Sequence, residues 1–170
     1  MLKRQSKALI VTPPPTRAER EQMAAGAADV PTEETRIAVT SLNTLQWGRY
    51  EAARRQIAPW LEGRTGKEWK EAVVDAAGDL LLDAGLHWAR AYAAVTAVET
   101  RASNRMTGEV GEWQPAEWPE LESIDAYVDD VPADLASALD ELVFDLNPGL
   151  FRLGEQDAAD AKKNGGIRLA

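Results

Sequence analysis

His87 is the one histidine of the chain. Asp83 precedes it by four residues and Arg90 follows by three, a spacing that puts all three on one helix face. A carboxylate beside an imidazole can orient a general base. Nothing near it in sequence offers a nucleophile, and a lone helical histidine is usually a packing or surface group. The chain has no cysteine, which removes disulfides, thiolate nucleophiles and thiolate metal sites. A second candidate is the carboxylate series Glu120, Glu122, Asp125, Asp129, Asp130 and Asp134. Hard oxygen ligands of this kind can hold a divalent cation, but the EF-hand spacing is absent. Asp129 and Asp130 also stand where acidic groups favour a helix N-terminus, so the series reads as solvated caps. Gly63-Arg64-Thr65-Gly66-Lys67 has a faint look of a phosphate loop, yet Glu68 follows the lysine where Ser or Thr is needed. No catalytic residue, metal or cofactor is assigned, and the chain is expected not to be an enzyme.

The aromatic residues point elsewhere. Six tryptophans accompany only two phenylalanines. Trp combines large contact area with one polar handle and suits cores and interfaces. Trp113, Trp118, Tyr127 and Phe151 are the first candidates for a partner surface, and Trp47 and Trp60 are further ones. The competing reading is that these rings close the core.

Composition bounds the possible partners. A net charge of −9 at pH 7 and a pI near 4.7 repel nucleic acid and anionic lipid. No nucleic-acid or membrane role is expected. The most apolar long stretch, Ala72 to Val98, carries Asp75, Asp79, Asp83, His87 and Arg90 and is not a span. Pro13-Pro14-Pro15 follows the short basic start, which argues against a signal peptide. A chain of 170 residues fits one domain, able to bury roughly 70% of its unfolded surface without a staple.

Periodicity predicts helices. Thr16 and Glu19 form a capping box for a short polar helix. Leu42, Leu45, Tyr50, Ala53 and Ile57 mark another helix starting near Ser41 or Asn43, with Pro59 as its expected end. Thr65 to Glu68 is a second capping-box candidate. A broad apolar stripe from Trp69 through Val73, Ala76, Leu80, Ala84, Trp88, Ala91 and Val95 predicts a central helix running to about Arg101. Gly78 and Gly85 within it predict a kink or the close approach of another helix. Leu135, Leu139, Leu142, Val143 and Leu146 predict a closing helix, with Pro132 at its first position and Asn147-Pro148-Gly149 as its stop. The expectation is an all-α fold: a single helical domain of about three to five helices over 36–153, an N-terminal arm and linker over 1–35, and a polar C-terminal tail over 154–170. Ala8-Leu9-Ile10-Val11 in the arm could form a short strand against a neighbour.

The order of elements from Arg36 to Leu150 resembles the tail assembly chaperones of long-tailed bacteriophages. The residues that carry it are the β-type segment Arg36 to Val39, the helix opening Ser41-Leu42-Asn43-Thr44-Leu45-Gln46-Trp47, the broad apolar helix, and Val131-Pro132-Ala133-Asp134 leading to a helix that stops at Leu146-Asn147-Pro148. The resemblance implies a small acidic helical chaperone that coats the hydrophobic tape-measure protein until tail-tube subunits replace it. It implies no catalytic residues. The expected partners are other phage proteins, namely tape-measure, tail-tube or head–tail components, with oligomerisation. The expected place is the host cytoplasm during assembly. The alternative is a virion structural protein, such as a head–tail connector or decoration component, whose arms lace between subunits.

Overall fold

The computed structural model describes residues 4–150. It corrects the all-α expectation: a four-stranded antiparallel sheet packs against helices. Strand β1 (Ser6–Val11) pairs with β2 (Pro31–Thr40), β2 with β3 (Val95–Asn104), and β3 with the two-residue β4 (Gln114–Pro115), in the spatial order β1-β2-β3-β4. The helices are α1 (Arg17–Ala24), α2 (Thr44–Thr65), α3 (Trp69–Ala72), α4 (Ala76–Ala94), α5 (Ile124–Asp130) and α6 (Ala133–Leu146), with a 3₁₀ turn at Pro119–Glu122.

The sheet exists because β2 and β3 alternate. Ile37 and Val39 point to the helices and are buried, while Glu34 and Arg36 point away. The register sets Arg36 opposite Glu99 and Glu34 opposite Arg101 on the outer face. Arg36 Nε donates to Glu99 at 2.8 Å and Arg101 Nε to Glu34 at 2.7 Å. Trp113 lies between the two guanidiniums, 4.5 Å from Arg36 and 4.4 Å from Arg101. The central helix therefore ends at Ala94, not near Arg101. Val95, Thr96, Val98 and Thr100 are β-branched and fit a pleated surface better than a helix. Gly26 to Thr35, expected as linker, contains the first half of β2, and the arm residues 6–11 form β1 against their own chain.

Helix signals met mixed outcomes. Thr16 caps α1 with Glu19 as predicted, and Asn43 caps α2 with Gln46 in a capping box. Pro59 does not end α2, which runs through it to Thr65. Ile57 and Leu61 on either side are buried, so packing outweighs the local cost of the missing donor. Thr65 is thus inside a helix end, with Gly66 as the left-handed C-cap at φ 70°, and Glu68 precedes α3 without a side-chain cap. The long stripe from Trp69 breaks between α3 and α4, where Asp75 caps the new start.

Both glycines in that stripe are close approaches. A Cβ on Gly85 would meet Ile57 at 3.2 Å, across the α2–α4 contact. A Cβ on Gly78 would lie 1.9 Å from the Ala72 carbonyl oxygen, against backbone that cannot step aside. Gly78→Ala is expected to destabilise the fold by about 2–3 kcal/mol, whereas Gly48→Ala, with open space around it, is expected to be neutral or stabilising. Urea midpoints of the two variants check this.

The core lies between the sheet and α2, α4, α5 and α6. Trp88 sits in it at 2% exposure, and its indole N–H donates to the Leu121 carbonyl at 2.8 Å. That bond fixes the loop that carries Trp118.

Candidate protein-binding cleft

The sheet and the α5–α6 corner do not close on each other completely. Between them lies a cleft of about 450 Å³. Its apolar walls are Val11 and Ile37 from β1 and β2, Val98 from β3, Trp118 and Pro119 from the loop, and Val131 and Leu135 from the helix corner. Glu33, Glu117, Glu120 and Asp130 stand among its lining residues, and no Lys, Arg or His does. Beyond Trp118 a wider, more open groove of about 750 Å³ follows the side of β3 and shares Val98, Glu117, Trp118 and Pro119 with the cleft. Arg49 is the one basic residue lining the groove.

Local sequence explains this shape. β4 is only two residues long, and Ala116 N–H closes on the Val98 carbonyl at 2.9 Å. Pro115 and Pro119 then prevent further strand pairing, so the chain crosses the end of the sheet as a ridge topped by Trp118. Trp118 is half-buried, and its ring packs 6.0 Å from Tyr127. Tyr127 is 3% exposed and belongs to the core. Its hydroxyl has no hydrogen-bond partner among the described residues, and burial pushes its pKa above the usual phenol range.

The remaining aromatic candidates are scattered. Trp47 is half-buried, edge-on to Tyr50 at 6.0 Å. Trp60 is half-buried and donates its indole N–H to Asp125 at 2.8 Å, under the Arg64 guanidinium. Trp113 is clamped on the opposite face of the sheet. Phe151 lies outside the described residues. Among the described candidates Trp118 alone lines the cleft, with Tyr127 behind it. Sequence reading passed over Glu33, Ile37 and Val98. Their signal is the two-residue alternation of β2 and β3.

The carboxylate series divides. Asp125 and Asp129 both accept from Arg64, and the hydrogen bond to Arg64 holds the Asp129 carboxyl below its ordinary pKa. Glu120 and Asp130 line the cleft and Glu122 the groove. Among the described residues no group of three or more His, Cys, Asp or Glu could hold a metal ion. In the suspected phosphate loop, Lys67 Nζ is held by Asp75 at 2.8 Å, and Gly63 is inside α2.

A second polar cluster is internal. Arg90 on α4 donates to both oxygens of Asp140 on α6, at 2.8 and 3.0 Å, with both residues buried. His87 Nε2 approaches the same carboxylate at 3.2 Å. Asp140, across a helix interface, is thus a carboxylate partner of the histidine in addition to Asp83, to which sequence spacing pointed and which also pulls on it. Phe144 lies under Arg90 with its ring centre 4.6 Å from the guanidinium. The cluster joins α4 to α6, and Arg90 already satisfies both oxygens of the acid.

Burial lowers the pKa of His87, and Arg90 lowers it further, against the pull of Asp140 and Asp83. The folded protein therefore holds that proton less tightly than the unfolded chain. The resulting stability is complete above the ordinary histidine pKa of about 6.5 and falls as pH drops from there through the depressed folded value. Urea midpoints measured between about pH 8 and about pH 5 are expected to fall, and His87→Gln is expected to remove the part of that fall that sets in below about pH 6.5. The single histidine C2–H resonance reports the folded pKa directly.

Among the described residues no helix is long and apolar enough to cross a membrane. No protein-family model matches the chain, and neither the curated proteins nor the solved structures give a match.

Proposed function

We propose that this protein is a non-catalytic assembly protein that covers an apolar, positively charged segment of a protein partner, and that it serves as a tail assembly chaperone shielding a tape-measure protein. The single observation that carries this reading is the Trp118 cleft, with apolar walls, a rim of carboxylates and no cation among its lining residues. Such a surface suits an amphipathic segment whose apolar residues enter the cleft and whose Lys or Arg residues meet the rim. The charge of −9 would keep a coated complex in solution. The resemblance over residues 36 to 150 supports the same reading, although the sheet is not part of what it implies.

Co-expression tests it. The tape-measure protein from the same genome is expected to become soluble and to co-purify with this chain, and purified particles are expected to lack the chain. A tape-measure protein that stays insoluble and uncaptured would contradict the reading. The outer edge of β1, unpaired among the described residues, favours a second reading, a virion structural component whose subunits join through that strand. Stoichiometric presence in purified particles would select it.

A further inference from the structure

β1 ends the sheet, and among the described residues nothing pairs with its outer edge. Both the N–H and the C=O of Gln5 face Ser41: the amide donates to Ser41 Oγ at 3.2 Å, and the carbonyl accepts from Ser41 N–H at 2.9 Å. In an antiparallel ladder the backbone alternates sides. Lys7, Leu9 and Val11 therefore bond inward to β2, and Ser6, Ala8 and Ile10 turn their backbone groups outward. The strand has no bulge against β2 and no proline. Ile10 is 53% exposed on the outer face. The far edge of the sheet is blunted by the short β4 and by Pro115, whereas this edge carries none of the usual protections except Lys7.

We propose that the outer edge of β1 pairs with β1 of a second copy of this chain, antiparallel about a two-fold axis through Leu9, to give a continuous eight-stranded sheet. Three features select that occupant and register. Opposed residues must share a face, so Leu9 meets Leu9, Ala8 meets Ile10, and Lys7 meets Val11 of the second copy. The large exposed Ile10 then lies beside the small Ala8. The two Lys7 residues stand four positions apart, about 13 Å, so like charges are not opposed. Lys7 shares the helix-side face with Val39, its partner on β2. Placed opposite Val11 of the second copy, it reaches the end of the acidic cleft that Val11 and Glu33 line. Its own-chain partner, Asp145, is 3.7 Å away with both side chains largely exposed, and a pair of that kind holds weakly. The two-fold axis stands perpendicular to the sheet. Both clefts therefore open on the same side, and a long partner could engage two at once.

Analytical ultracentrifugation of the full chain tests the pairing. The wild type is expected to show a concentration-dependent monomer–dimer equilibrium. Ala8→Pro removes an outward N–H without touching the bonds to β2, and is expected to weaken the dimer by about 10- to 100-fold while far-UV circular dichroism stays unchanged. The chain has no cysteine, so Leu9→Cys adds the sole thiol. In the proposed register it is expected to form an intermolecular disulfide under mild oxidation, while Ile10→Cys does not. A wild type that remains monomeric at millimolar concentration overturns the proposal. So does a dimer indifferent to Ala8→Pro, or cross-linking that is equal at positions 9 and 10.

Discussion

Arg90→Ala is expected to lower the free energy of unfolding by about 3–5 kcal/mol, the largest single effect among the polar residues. The guanidinium makes two charged hydrogen bonds to Asp140, at 2.8 and 3.0 Å, in a place where both residues are more than nine-tenths buried. Removing the cation strips a buried carboxylate of both charged hydrogen bonds and leaves it beside His87 Nε2, at 3.2 Å. The loss comes mainly from that stranded charge, with a smaller part from lost packing on Phe144. The double variant Arg90→Met/Asp140→Leu removes both charges together and is expected to be near wild type or more stable. Arg90 also holds the His87 pKa down. In Arg90→Ala that repulsion is gone and the attraction of Asp140 remains. A histidine whose folded pKa rises adds stability that is present at low pH and lost as pH increases. Burial, the largest cause of the depressed His87 pKa, persists in the variant, so what is expected is that its deficit relative to wild type narrows toward about pH 5. Denaturation midpoints at both pH values check the magnitude and the sign.

Reversing the cleft rim is expected to produce the largest functional effect. Glu33→Lys with Asp130→Lys places two cations in the lining of a cleft that now has none among its lining residues. Both residues are exposed, so the fold is expected to tolerate the change. For a basic apolar segment, association at low salt is expected to slow by about 100-fold, and the difference is expected to shrink as salt rises. Trp118→Ala acts on the other term. Its ring lines both cleft and groove, and its loss is expected to raise dissociation by an amount equivalent to about 2 kcal/mol. Stopped-flow association and dissociation rates separate the two contributions.

The helical half of the fold was legible where spacing and punctuation agreed. α6 has an uninterrupted three-and-four stripe from Leu135 to Leu146, with Pro132 before it and Asn147 after it. The caps at Thr16 and Asn43 are local hydrogen bonds, and local chemistry is enough to find them. The sheet was hidden for two physical reasons. β3 follows α4 at Val95 with no Gly or Pro between them, so one apolar run reads as one helix. β1 and β2 are separated by α1, and their pairing is a tertiary fact that no window of residues contains. The cleft inherits that difficulty. Trp118 stood out by type and Glu117 and Glu120 flank it in sequence, but the apolar walls together with Glu33 and Asp130 come from β1, β2, β3 and the α5–α6 corner, which only the folded chain brings together. Arg90 and Asp140 are 50 residues apart and carried no signal as a pair. Pro59 misled because its local preference lost to the burial of Ile57 and Leu61.

The most direct test of the cleft as a protein-binding surface is calorimetric titration with a synthetic amphipathic helix of Leu and Lys and with its Leu and Glu counterpart. Each is measured on wild type, on Glu33→Lys/Asp130→Lys, and on a control with the same charge change at the exposed Glu68 and Glu71, away from the cleft. The expected result is binding of the Leu/Lys helix by wild type and by the control, with the preference inverted to Leu/Glu by reversal at Glu33 and Asp130. Equal affinities in the reversed protein and the control would mean that net charge alone attracts the peptide, and the cleft would lose its role.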